Sequence, residues 1–402
     1  MKKLVPVISM LCVVLFSCNE KKPLFRSLKS EQTGILFSNT ITEDNELNPL
    51  TYEYLYNGGG VGIGNFNNDS LPDIYFTGNM VSNKLYINKG GLRFEDATTA
   101  AGVGGGGKWC KGASVVDINN DGLDDIYVCA AVATDSFKRK NMLYVNQGAD
   151  KKTGIPVFKE MAAAYGLDDN SHTQMAAFFD YDNDGDLDVY LLVNDLIDGV
   201  YPNEFRPVRT DGSWPNTDKL FRNDWNDSLH HAVFTNVSAK AGILTEGYGL
   251  GISITDINKD GWKDIYITND YLSNNILYIN NHNGTFSNQC AAYFKHSSKN
   301  AMGNDVADIN NDGLDDIIEL DMAPAGNYRQ KMMMNDMSYQ TYQNFDRFGY
   351  MYQYARNTLQ LNLGMAPESS RPLFAEIAYY SGVAHTDWSW APLLVDADND
   401  GY

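Results

Sequence analysis

The chain has 402 residues, 43% of them hydrophobic, and carries 51 acidic against 31 basic side chains, a formal net charge of −20. Such a chain repels nucleic acid phosphate, and no basic stripe reverses this, so nucleic acid is excluded as a partner. Length alone suggests two or three domains, with apolar residues enough for a sizeable core.

Residues 1–18 read as a targeting segment. Lys2-Lys3 makes a positive start, and 4–16 is an apolar run too short to span a bilayer. Leu15-Phe16-Ser17-Cys18 resembles a bacterial lipobox. The resemblance implies that Cys18 is acylated and that the protein is exported to the cell envelope, lipid-anchored in the outer membrane without a spanning helix. Ordinary secretion with cleavage nearby is the alternative. Asn19-Glu-Lys-Lys is similar to the surface-export tails of some bacterial lipoproteins, and 19–50 reads as a tether leading into the folded part. Cys110, Cys129 and Cys290 remain beyond the leader, an odd number. Cys110 and Cys129 flank one loop and can be neighbours, but buried free thiols are the favoured reading.

From residue 51 to residue 402 one pattern repeats. Asp180-Tyr-Asp182-Asn-Asp184-Gly185-Asp-Leu-Asp188 places carboxylates at positions 1, 3, 5 and 9 of a nine-residue loop, with glycine at position 6 for the sharp turn. Asp117, Asn119, Asp121 and Asp125 repeat it, as do Asp256, Asn258, Asp260 and Asp264, and Asp308, Asn310, Asp312 and Asp316. Asn65, Asn67, Asp69 and Asp73 form a weakened copy with only two carboxylates, which is expected to bind a cation most weakly. Asp396, Asp398 and Asp400 open a sixth copy that reaches the end of the sequence before position 9, so the chain reads as the front portion of a longer protein. Several oxygen ligands converging on one point suit a hard cation, calcium first. Much of the acidity is therefore metal-directed. An EF-hand needs a glutamate at position 12 and flanking helices. Position 12 here is Val128, Leu191 or Ile267, and the flanks are rich in β-branched and aromatic residues, so each loop joins two strands.

Around each loop four strands are legible. An apolar strand precedes it (Gly60-Val-Gly-Ile-Gly, Ala113-Ser-Val-Val, Met175-Ala-Ala-Phe-Phe, Leu250-Gly-Ile-Ser-Ile, Trp390-Ala-Pro-Leu-Leu-Val). A second follows it. A third reads Asn83-Lys-Leu-Tyr-Ile-Asn88, with copies ending at Asn146, Asn223, Asn280 and Asn362, and a fourth starts at Phe94, Phe158, Phe234 or Phe374. Four strands per unit, repeated, predict an all-β protein built as a β-propeller. The glycines of 58–64 mark a strand where chains approach closely. Gly102 to Lys108 imitates a phosphate-binding loop, but Trp109 stands where Ser or Thr is needed and a strand follows instead of a helix.

These repeats resemble the FG-GAP (VCBS) repeats of integrin-α-type propellers. The run from Tyr52 through Asn57-Gly-Gly-Gly-Val-Gly to Phe94-Glu-Asp-Ala-Thr and Ala101-Gly102-Val103 is similar to the cartilage acidic protein family, many bacterial members of which carry a C-terminal ASPIC/UnbV segment. The resemblance implies a seven-bladed propeller with calcium loops between the first and second strands of a blade, and a backbone carbonyl ligand at position 7.

Two insertions break the repeat between second and third strands and are expected on the face opposite the loops. Segment 196–216 holds Trp214, Arg206 and Arg209; segment 321–356 holds Tyr328, Met332 to Met334, Met337, Tyr339, Tyr342, Phe345, Phe348, Tyr350, Tyr352 and Tyr354. Loops on a rigid scaffold commonly carry binding, and Tyr and Met at this density suit a protein or glycan partner. A lid over a neighbouring blade is the equal alternative. No catalytic constellation stands out among the scattered histidines and serines. The functional expectation is a calcium-binding, lipid-anchored binding or adhesion module, with a propeller enzyme acting on polysaccharide as lyase or hydrolase as the alternative.

Overall fold

The computed structural model describes residues 24–196, 200–333, 338–366, 369 and 371–401. The leader with Cys18, and Met334 and Met337 of the second insertion, lie outside the described residues. Among the described residues no helix is long and apolar enough to cross a membrane.

The fold is all-β. Five four-stranded antiparallel sheets follow one another along the chain, each with its strands in sequence order. The first is Val61–Gly64, Asp73–Phe76, Lys84–Asn88 and Phe94–Asp96. The second is Cys110–Val116, Asp125–Ala130, Met142–Ala149 and Pro156–Glu160. The third is Thr173–Phe179, Asp188–Val193, Lys219–Asn226 and His231–Asn236. The fourth is Gly249–Thr255, Asp264–Asn269, Ile276–Asn280 and Phe286–Asn288, and the fifth is Asn304–Ala307, Asp316–Glu319, Thr358–Met365 and Pro372–Glu376. First strands of successive sheets lie side by side, as in the stacked blades of a propeller. Glycine permits this approach: a Cβ on Gly60 would stand 2.9 Å from the Ala113 nitrogen, and one on Gly251 2.9 Å from the Asn304 nitrogen.

The core lies between sheets, and the second strand explains how. It is buried on both faces, so alternate residues enter different cores. Ile126 and Val128 pack toward the first sheet with Phe66, Tyr75 and Leu85, whereas Tyr127 and Cys129 pack toward the third with Val189 and Leu191. Tyr190 and Leu192 then face Ile265 and Ile267 of the fourth sheet. The same alternation separates the thiols. Cys110 and Cys129 belong to different cores, and both are free and buried, as is Cys290.

After each fourth strand the chain makes a one-turn helix (Thr98–Ala101, Ala162–Tyr165, Ser238–Ala241, Cys290–Tyr293, Ala378–Ser381). Left-handed Gly102, Gly166, Gly242 and Gly382 close four of these turns; Phe294 replaces glycine in the fourth sheet, which is why that repeat is harder to see in the sequence. One expected strand is absent. Among the described residues, the segment expected as that strand, 390–395, bonds to Gly303 and Asp305 at single points, the Gly303 amide to the Trp390 carbonyl and the Leu394 amide to Asp305. It stays largely exposed.

The side chain opening each third strand ties it to the second. Asn83 accepts from the Gly78 amide and donates to the Tyr75 hydroxyl; Asn141 does the same with Ala130 and Tyr127. In the third sheet Asp218 stands in this place, accepting from the Val193 amide (2.7 Å) and the Tyr190 hydroxyl (2.9 Å). Burial pushes its carboxyl up to about 7. A free Asp ionises near ~4, so this group stabilises the fold fully below that pH and the contribution is lost as pH rises through about 7. Asp218→Asn restores the arrangement of the other sheets without the charge. Urea unfolding at pH 5 and pH 8 should show the variant gaining on the parent by about 1–4 kcal/mol between the two; an identical difference at both pH values would contradict the assignment.

Candidate metal centre

Each nine-residue loop is a tight turn joining the first and second strands of a sheet. Two of its residues take left-handed backbone. Position 6 is glycine, with φ of 84° at Gly122 and 97° at Gly185. Position 4 does likewise at Asn68, Asn120, Asn183, Asn311 and Asn399, and at Lys259. Asparagine tolerates this conformation better than most residues, so the recurrent asparagine is explained by backbone rather than by ligation. In the first loop Ser70 takes the glycine's place at φ 70°.

The carboxylates fall into two groups. The position 9 residues Asp73, Asp125, Asp188, Asp264 and Asp316 are fully buried. One oxygen of each accepts from the amide of loop position 2, as Asp125 does from Ile118 at 2.9 Å. The other accepts from the backbone amide of the asparagine that recurs in the third strand, as Asp125 does from Asn146 at 2.7 Å. That asparagine also donates from its side chain to the position 8 carbonyl, in all five sheets. Burial pushes Asp125 and Asp264 up to about 7 and Asp188 up to about 8, with the neighbouring loop carboxylates adding to the rise.

Positions 1, 3 and 5 are more exposed and organise the turn. Asp117 accepts from the amides of Asp121 and Gly122, and Asp256 and Asp308 repeat this with Asp260 and Gly261 and with Asp312 and Gly313. Asn65 accepts from the Asp69 amide in the first loop, and Asp396 from Asp400 and Gly401 in the sixth. In four loops position 3 is an amide that donates to the position 5 carboxylate: Asn67 to Asp69, Asn119 to Asp121, Asn258 to Asp260, Asn310 to Asp312.

The third loop differs. Asp182 has no hydrogen to give to Asp184. Ligand oxygens of Asp180, Asp182 and Asp188 lie within 4.8 Å of one another. Asp182 Oδ1 and Asp186 Oδ1 are buried atoms without a hydrogen-bond partner. Burial and the charges of Asp184 and Asp180 raise the Asp182 carboxyl, and burial with the same neighbours pushes Asp186 up to about 6. An all-oxygen set with two orphaned carboxylate oxygens fits a hard cation. The family resemblance implies only a backbone carbonyl at position 7, whereas the extra carboxylate of Asp186, visible in the sequence, adds a side-chain oxygen here. The sixth loop also brings Asp396, Asp398 and Asp400 within 4.8 Å, all exposed.

Position 8 carboxylates, also missed, link neighbouring loops. Asp124 accepts from the Asn65 amide at 2.6 Å, and Asp315 from Thr255 Oγ1 at 2.5 Å with Lys259 at 3.1 Å. In the fourth loop His282 Nε2 lies 2.9 Å from Asp260 Oδ2 and its ring stacks on Trp262.

At the opposite end of the sheets the two insertions pack on each other. Phe205 meets Phe345, Phe348 and Tyr350 at 5.7–5.9 Å, and Tyr350 donates to the Arg206 carbonyl. Arg206 holds the buried Glu246 with two bonds, while Arg209 lies 3.9 Å from the Trp214 ring. Part of the aromatic density is thus internal. Tyr201, Tyr328, Met332 and Tyr339 remain exposed. Beneath them the 52–57 segment crosses to the fourth sheet, where Tyr54 donates to Asp270 at 2.8 Å.

The two carboxylate groups separate experimentally. In chelator, Asp125→Ala removes the acceptor of two buried amides and should cost about 2–4 kcal/mol in urea unfolding. Asp121→Ala removes only exposed turn bonds and should cost less than about 1 kcal/mol. Equal costs would refute the division.

A family model described as FG-GAP-like repeat matches residues 65–128 and 256–318. Each stretch starts at position 1 of a loop and runs through the next sheet's loop, so four of the loops fall inside the matches. The chain is similar to cartilage acidic protein 1 of Mus musculus, 25% identical over 232 residues, which are 58% of this chain and 32% of that protein. The Homo sapiens protein is 25% identical over 215 residues (53% and 28%), and that of Xenopus tropicalis 24% over 237 (58% and 31%). The matched part thus spans about a third of these relatives' length. Repeat model, loop geometry and relatives agree: the chain carries FG-GAP-like repeats and is similar to the cartilage acidic proteins.

Proposed function

We propose that the chain is a calcium-braced β-propeller of seven four-stranded blades acting as a protein- or glycan-binding adhesion module. Its place is the bacterial cell envelope, where an acylated Cys18 would anchor it in the outer membrane. The observation that carries the metal reading is the third loop, where Asp180, Asp182 and Asp188 converge and two buried carboxylate oxygens have no partner. Calcium would be held there by side-chain oxygens and would neutralise charges that otherwise oppose folding. The partner reading rests on the division of faces. Loops occupy one end of every sheet, and both insertions occupy the other, with Tyr201, Tyr328, Met332 and Tyr339 open to solvent.

The alternative, a propeller enzyme cutting polysaccharide as lyase or hydrolase, draws on Asp270 and Asp321 below the insertions. Both are buried, and both have carboxyls raised by burial, to about 7 and about 6. Each is already engaged, Asp270 by Tyr54 and Asp321 by Ser298. Unsaturated sugars or new reducing ends from a polysaccharide would favour this reading.

Thermal unfolding in calcium, magnesium and chelator tests the metal. A native-state ligand at ~100 times its Kd adds about 2.7 kcal/mol per site, so several sites should raise Tm by many degrees in calcium and less in magnesium. Asp184→Ala or Asp260→Ala should shrink the rise. Asp69→Ala in the weak first loop should leave most of it. A Tm indifferent to calcium would sink the reading.

A further inference from the structure

On the loop face a second feature adjoins the carboxylate clusters of the second and third loops and shares Asp117, Asn119 and Asp186 with them. A groove of about 610 Å³ runs between the second and third sheets, within the size range of small-ligand sites. One of its lining residues is Trp225, on the third strand of the third sheet and 65% exposed. The indole nitrogen donates to Asp227 at 3.0 Å, so the ring's one polar atom is already committed. The residue paired across the strand is Ala232, too small to cover the ring. An indole face is thus left open beside polar groups, although burying so large a ring is ordinarily favourable.

The groove's walls are polar and come from both sheets. Asn119 stands on the second sheet's loop, Asp186 on the third's, and Asn223 two residues before Trp225. Asp186 Oδ1 is the buried oxygen without a partner. His231 stacks on Tyr165 at 4.6 Å and points Nδ1 at the Ala232 carbonyl, 2.7 Å away, so Nδ1 carries the hydrogen. No lysine or arginine lines this groove, and its charged groups are Asp117 and Asp186, with His230 and His231 as further titratable groups. The adjoining groove between the third and fourth sheets is lined by Arg222 and Lys240. The two therefore differ in the charge they accept.

A flat apolar platform flanked by amides and a carboxylate matches a sugar ring, which offers a C–H face and a rim of hydroxyls. The absence of cations along the lining disfavours uronates and other acidic sugars. A single open aromatic face, with Tyr165 covered by His231, does not form the cage that encloses a quaternary ammonium. We propose that this groove binds a neutral saccharide, one ring lying on Trp225 and its hydroxyls bonded by Asn119, Asn223 and Asp186. This site lies at the opposite end of the sheets from the insertion surface and does not depend on what that surface binds.

The test is titration of the purified protein, in calcium-containing buffer, with cellobiose, lactose, maltose and N,N′-diacetylchitobiose. Calorimetry and indole fluorescence report binding, and digalacturonate and choline serve as charged probes. At least one neutral disaccharide should bind saturably with Kd on the order of 1 mM. Trp225→Ala should weaken that binding by about tenfold or more, with an unchanged unfolding midpoint because the ring is exposed. Trp262→Phe, in the adjoining groove, should retain it. Failure of all four disaccharides, binding indifferent to Trp225→Ala, or preferential binding of digalacturonate or choline would overturn the proposal.

Discussion

Every sheet hangs on one buried carboxylate that accepts two backbone amides from separate segments. Asp73, Asp125, Asp188, Asp264 and Asp316 each hold the start of a loop and the recurrent asparagine of a third strand. A buried charge is costly, and two amide donors offset only part of that cost. The rise of these carboxyls to about 7 or 8 in the middle three sheets expresses what remains. The turn residues add further negative charge beside them. The fold therefore concentrates an electrostatic penalty at one end of each sheet, where a cation would relieve it.

The rest of the packing follows from the strand that this carboxylate begins. Because the second strand is buried on both faces, each of its side chains belongs to the core before it or the core after it. Sheets are thereby coupled in sequence, and the fifth adds a small cluster of its own around Leu359, Ala378 and Ala384. Coupling continues through polar groups: Asn146 donates to the Phe66 carbonyl of the preceding loop, and Asn280 to that of Tyr181. The first loop is thereby tied to the second sheet and the third loop to the fourth.

The two ends of the sheets are built for different work. The loop end is turn backbone and carboxylates with open grooves between sheets. The insertion end is a folded aromatic cap, in which Phe205, Phe345, Phe348 and Tyr350 support one another and Arg206 neutralises Glu246. A packed interior thus props up an exposed set of tyrosines and methionines.

Strand number, strand order and the loops could be read from the sequence, because side-chain alternation and turn chemistry are local and recur in every repeat. Position 6 glycine, and the Phe and Asn that recur in the fourth and third strands, are visible for the same reason, although three of the fourth strands begin two or three residues before the Phe and three of the third strands run past the Asn. Tertiary structure decided what local pattern cannot express. It made position 9 a clip between segments, gave position 8 to the neighbouring loop, and separated Cys110 from Cys129 by placing them in different cores. It left residues 390–395 without a ladder, since a strand needs a partner as well as an apolar sequence. It also distinguished the third loop from its copies, because the loss of one amide hydrogen at Asp182 matters only where Asp184 and Asp186 stand close enough to need it.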